Sequence, residues 1–175
     1  MVKSAKEIAC AGVTVALLIG GQYSLAMISG VEIVTAIFAV YCLVFGVLNG
    51  VVVGTAFSLV RCFVFGFFPQ VIMLYLIYYN LFAIAVGFIG KIVKQRAKWF
   101  IIIVLTCVCV LLTLLFTVID NALNVFFFGL TLSALKIYVA QAIPVLIRQI
   151  ACVAVTVPLF YFPLKKIFKL AKTNN

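Results

Sequence analysis

Between Lys98 and Asp120 the chain reads WFIIIVLTCVCVLLTLLFTVI, 21 residues without one charged side chain. At 1.5 Å per residue, a helix of this length covers roughly 30 Å, the thickness of a bilayer's hydrocarbon core. Backbone held there must satisfy its own hydrogen bonds, which makes helix the local structure. Trp99 opens the run, and its amphipathic ring suits the membrane–water boundary.

The rest of the chain follows the same rule. Of its 175 residues, 68% are hydrophobic and 9% are charged, against about 45–50% and about 25% in a soluble domain. The sequence therefore predicts an all-α integral membrane protein in a single domain, 1–175. Its spans fall at about 8–28, 31–46, 51–67, 70–90, 99–119 and 143–164. The first ends near Ser29-Gly30, Gly46 to Gly50 form a tight turn containing Asn49, and Asp120, Asn121 and Asn124 end the fifth. The segment 120–142, DNALNVFFFGLTLSALKIYVAQA, is expected to be an external lid or re-entrant piece, with a seventh helix as the alternative. Lys3 and Lys6 ahead of an apolar stretch imitate a signal peptide. That stretch runs to about Ile28 with no convincing small-residue cleavage site, so it is read as an uncleaved first span.

Charge sets the expected orientation. The net charge is +10, and ten of thirteen basic residues form three groups: Lys3 and Lys6; Lys91, Lys94, Arg96 and Lys98; and Lys165, Lys166, Lys169 and Lys172. Basic residues at span ends mark cytoplasmic loops. Six spans place both termini and the 91–98 loop on that side, and seven would not. No basic stripe or recognition motif suggests nucleic acid. The six cysteines lie in apolar runs and histidine is absent, so no metal or cofactor is expected.

On this topology the strongly polar groups fall in one half of the membrane. Gln22, Tyr23, Glu32, Arg61, Gln70, Tyr75, Tyr78, Tyr79, Asn80, Asn124, Arg148 and Gln149 lie toward the outer face, with Lys136 in the external segment. A charge at the bilayer centre costs roughly 2.5–3.5 kcal/mol and usually faces the bundle or a water-filled cavity. An outward-opening pocket accounts for the pattern, with Glu32, Arg61, Tyr79, Asn80, Asn124, Lys136, Arg148 and Gln149 as candidate substrate contacts. Structural readings stand beside it. Glu32 and Arg61 neutralise each other, Arg148 snorkels to the headgroups, Asp120 and Asn121 cap a helix, and the tyrosines pack.

Small residues recur along the first span: Ala5 and Ala9, then Gly12, Ala16 and Gly20. Such a strip admits a close helix neighbour, either within the bundle or on another membrane subunit.

These features resemble the substrate-binding S component of energy-coupling factor (ECF) vitamin transporters. Ala5-Lys6-Glu7-Ile8-Ala9 is similar to that family's AxxxA strip on helix one. GVEIVTAIFAVYCLVFG (30–46) is similar to its second helix, with Gly30 where many members have Asn. IPVLIRQIACVAVTVPLFYFPLKKIFKL (143–170) is similar to its last helix and basic tail. The resemblance implies six helices in a prokaryotic plasma membrane, and capture of a vitamin-like substrate at the outer face. It also implies docking through Ala5, Ala9, Gly12 and Ala16 on a transmembrane T subunit, which works with two cytoplasmic ATPases. The S component then topples in the membrane and releases its substrate inward.

The chain has no phosphate-binding loop of its own, since GKIVKQRAK lacks the preceding glycine and the hydroxyl residue. Without histidine, and with Glu32 and Asp120 at separate helix ends, neither a zinc centre nor a Ser-His pair is available, so no enzyme is expected. The alternative is a stand-alone small membrane transporter or channel, which should carry polar residues through both membrane halves.

Overall fold

The structure, a computed structural model, describes residues 5–28, 30–93 and 95–173. Lys3, Ser29 and Lys94, used above, lie outside them. The described chain forms six helices: α1 (Ala5–Ser24), α2 (Val34–Phe45), α3 (Val47–Phe65), α4 (Pro69–Val93), α5 (Lys98–Phe128) and α6 (Leu132–Thr173). Five are long and apolar enough to cross a membrane, and α2 is shorter.

The short helix occupies the centre. All nine residues from Val34 to Cys42 are buried, and α2 touches each of the other five helices. A helix apolar on every side belongs in such a position. At 12 residues it reaches only about 18 Å, and neighbours rather than lipid enclose it. Gly46 lets the chain reverse at once. Its φ is 85° and its N–H donates to the Cys42 carbonyl at 2.8 Å, so α3 begins at the next residue. Asn49 and Gly50, expected in a turn, are already helical.

Two further expectations are corrected. The first span does not continue to residue 28. Helix α1 stops at Ser24, and residues 25–28 and 30–33 cross the end of the bundle as non-helical chain. Hydropathy alone does not separate LAMI of this crossing from a helix end. Nor is 120–142 a separate external segment. Helix α5 runs on to Phe128, Gly129 turns the chain in the left-handed region (φ 57°), and α6 starts at Leu132. Asp120, Asn121 and Asn124 are helix-interior residues. The two asparagine amides donate back to the Thr117 and Asp120 carbonyls, at 2.8 and 2.9 Å. Pro144, Pro158 and Pro163 lie within α6, which at 42 residues is roughly 63 Å long.

The bundle has two distinct ends. At one, Lys172 at the close of α6 donates to the Val44 carbonyl near the close of α2. Lys91, Lys165 and Lys169 line the same cleft. At the other, Glu32 precedes α2, and the Tyr23 ring near the end of α1 lies 6.1 Å from Phe65 at the end of α3. Between them Phe38, Phe57, Tyr79 and Phe82 fill the interior. Phe38 packs on Tyr79 and Phe82 at 5.4 Å, and Phe57 on Tyr79 at 4.9 Å.

Candidate functional site

The non-helical crossing after α1 roofs a cavity of about 200 Å³ at the end opposite the lysines. Gln22 closes it from α1, and Gly30, Val31 and Glu32 from the crossing. Tyr75, Tyr78 and Tyr79 enter from α4, Thr113 and Phe116 from α5, and Gln149 from α6. The three tyrosines are buried. Their spacing puts them on one inward face, since positions three and four apart in a helix are neighbours.

Two polar constructions meet at this cavity. In one, the Arg61 Nε donates to the Gln22 Oε1 at 3.1 Å, and the Gln22 amide donates to the Tyr75 hydroxyl at 2.7 Å. The Arg61 guanidinium also lies over two rings, 4.1 Å from the Tyr75 centroid and 4.7 Å from that of Phe65. Ring faces attract a cation by about 0.5–2 kcal/mol each, more when water is excluded. Arg61 is therefore held in place behind the wall and polarises the residues that line it.

In the other, Glu32 is fixed from both sides. Its Oε1 accepts from the Thr35 hydroxyl at 2.8 Å. Its backbone N–H donates to the Cys152 Sγ at 3.4 Å, and the Cys152 thiol donates to the Glu32 carbonyl at 3.2 Å. Cys152 on α6 thus clasps the chain at the residue that carries the carboxylate. The adjoining Gly30 has φ 86°, and a Cβ there would fall 2.8 Å from the Arg148 Cβ and 3.0 Å from the Val145 carbonyl oxygen. Asparagine tolerates the left-handed region, but its Cβ does not fit this approach. Glycine at this position thus has a steric reason.

The candidate residues divide accordingly. Glu32, Tyr79 and Gln149 line the cavity, and Arg61 stands behind Gln22. Glu32 and Arg61 are not paired with each other: the carboxylate is bound by Thr35, the guanidinium by Gln22. Asn80 is part of the α3–α4 contact, accepting from Thr55 at 3.0 Å and donating to the Leu76 carbonyl. Asn124 belongs to a second polar group. It accepts from Gln70 at 2.6 Å and donates to the Tyr138 hydroxyl at 3.0 Å, while Tyr138 donates to the Asp120 Oδ2 at 2.9 Å. Arg148 packs its stem against Gly30 and is exposed, and Lys136 is exposed on the first turns of α6; neither lines the cavity.

Asp120 and Tyr138 line a neighbouring chamber of about 290 Å³, which shares Phe116 and Gln149 with the first. These two side chains form the partition, and together the chambers approach the size of small-molecule pockets. Nothing in the sequence marks Thr113, Phe116 or Cys152 as site residues, because each lies in an apolar run and looks like packing. Among the described residues no group of three or more Cys, Asp or Glu converges as a metal site would require.

A different surface follows α1. Ala5, Ala9, Gly12, Ala16 and Gly20 are all exposed, and a Cβ on Gly12 or Gly20 would meet nothing within 4 Å. Gly12, Ala16 and Gly20 edge an open apolar groove of about 790 Å³, with Val52, Ala56 and Val60 of α3 on its other side. The strip is not consumed by packing within the bundle.

Comparison with protein families, curated proteins and solved structures finds no significant match to this chain.

Proposed function

We propose that the chain is a substrate-capturing membrane subunit of the ECF S-component kind, taking a vitamin-like small molecule into the cavity beneath the α1–α2 crossing. The observation that carries this reading is the aromatic and polar chamber of about 200 Å³ beneath the crossing, at the end opposite the lysines. Three tyrosines, one carboxylate and a glutamine braced by arginine face inward there. Aromatic faces with a few directed polar groups supply the stacking and orientation that a small planar ligand needs. The packed aromatic layer below supports a capture protein over an open channel, because Phe38, Phe57, Tyr79 and Phe82 pack on one another between the two ends. In this reading the lysine end is cytoplasmic, and the cavity faces outward.

The exposed strip on α1 is assigned to the T subunit, with two ATPases behind it supplying the energy. Affinity purification of the tagged chain from its native membrane tests the assignment. A T subunit and an ATPase pair are expected to copurify, and Gly12→Leu with Ala16→Leu is expected to remove them while leaving ligand binding within about twofold. A chain that purifies alone yet transports in proteoliposomes is instead a stand-alone carrier.

A further inference from the structure

The chamber beside the cavity presents hydrogen-bond acceptor capacity that its own walls do not use up. Asp120, Tyr138, Thr117 and Gln141 line it, and Phe116 and Gln149 divide it from the cavity beneath the crossing. Its polar side chains form a relay with one direction. The Gln70 amide donates to the Asn124 Oδ1 at 2.6 Å, and the Asn124 amide donates to the Tyr138 hydroxyl at 3.0 Å. That amide also donates to the Asp120 carbonyl at 2.9 Å. The Tyr138 hydroxyl then donates to the Asp120 Oδ2 at 2.9 Å. Every side-chain hydrogen of Asn124 and Tyr138 able to donate is thus committed, and the relay ends on a carboxylate.

An ionised carboxylate accepts at about four sites and donates at none. Tyr138 takes one of Asp120's, and the Thr117 hydroxyl is turned to the Thr113 carbonyl of its own helix at 3.4 Å. A molecule entering the chamber therefore meets an acceptor. The cavity beneath the crossing repeats the arrangement, with Glu32 accepting from Thr35 at 2.8 Å and lining the space. Aromatic surface lies between the two carboxylates. Phe116 belongs to both walls, and the Tyr78 and Tyr75 rings pack on it at 4.8 and 6.0 Å. Among the described residues lining either chamber there is no lysine or arginine, and Arg61 stands behind Gln22 and Tyr75. Phe116 and Gln149 are half-buried side chains, and a rotamer change of Gln149 joins the chambers without moving a helix.

We infer that one ligand occupies both chambers, its ring against Phe116 and Tyr78 and an amino or hydroxyl arm donating to Asp120. This assignment rests on the capture reading and narrows its ligand to planar molecules with donor arms and no acidic group. A carboxylate or phosphate arm would be set against Asp120 or Glu32, and like charges brought together in an enclosed site reject a partner.

Native mass spectrometry of the full chain, freed of bound small molecules, tests the assignment with two probe sets added together. Thiamine, pyridoxine and riboflavin carry amino or hydroxyl groups and no acid; nicotinate, biotin and pantothenate each carry a carboxylate. The wild type should retain a member of the first set at least about tenfold over every member of the second, the difference expected for one charge-assisted hydrogen bond. Asp120→Asn keeps an oxygen for Tyr138, so its melting temperature should stay within about 4 °C of the wild type. Its retention of the same probe should nevertheless fall by about 10–100-fold. Preferential retention of an acid-bearing probe overturns the donor-arm assignment and leaves capture standing. Retention unchanged by Asp120→Asn overturns the role of the second chamber. Retention of no probe contradicts the capture reading itself, and this assignment with it. Should the variant not fold, the wild type decides. The retained probe should outcompete its analogue carrying a carboxylate in place of a hydroxymethyl arm, and equal retention of the two overturns the assignment.

Discussion

The two ends of this bundle handle polarity in opposite ways. At the cavity end single charges are enclosed and individually braced: Glu32 by Thr35 and the Cys152 clasp, Arg61 by Gln22 and two aromatic rings. At the lysine end four lysines are gathered on the rim of a cleft that is otherwise largely apolar. Opposite charges placed singly and rigidly suit selective recognition of a small molecule. Like charges on long, flexible stems suit a surface anion whose geometry varies. On the proposed reading, the basic clusters and the recognition chemistry of this chain lie at different ends of the bundle.

Breaking the cavity end at its tightest point should have the largest effect. Gly30→Val forces a β-branched residue into φ 86° against Arg148 and the Val145 carbonyl. A loss of about 2–4 kcal/mol of stability is expected from backbone strain and overpacking combined, together with loss of ligand binding. Thermal melting and a binding titration on one preparation measure both. Next comes Arg61→Ala, which removes Gln22's charged donor and the cation over Tyr75. Binding should weaken by about 10–100-fold, the range expected for a lost charge-assisted hydrogen bond. Arg61→Lys should rescue it only in part, because an ammonium does not reproduce the planar stack. Isothermal titration of the three proteins reads the series.

Cys152→Val sharpens the comparison more gently. It keeps the packing volume close but releases the Glu32 backbone, and a few-fold loss of affinity with a stability change of about 1 kcal/mol is expected. The smallest effect is a control across the molecule. Lys165→Gln with Lys169→Gln should leave cavity binding within about twofold, measured by the same titration. A large change there would mean that the two ends are not separate.

Much of this arrangement is legible in the chain. The apolar runs located six helices, five of them long and apolar enough to cross a membrane, although 31–46, read as a span, is a short helix enclosed by the other five. The expense of charge in an apolar setting singled out Glu32 and Arg61. The failures have physical causes. Residues 25–28 are apolar in a crossing and 120–142 are mixed in a helical hairpin, so hydropathy misplaces both ends. Asn80 and Asn124 looked like ligand contacts, yet their amides are engaged by Thr55, and by Gln70 and Tyr138. Polarity within a membrane signals that a partner is needed, and it does not say whether that partner is a ligand or a neighbouring helix. Phe116 and Cys152 carried no signal, because their roles arise from what α5 and α6 bring beside them.

The most direct measurement is native mass spectrometry of the protein purified from its own membrane and released from detergent. One small molecule per chain is expected in the wild type, lost from Arg61→Ala and Glu32→Gln and retained in the Lys165→Gln, Lys169→Gln protein. A wild type that carries no small molecule when every candidate vitamin is supplied, or one whose ligand survives both cavity variants, would contradict capture at this site.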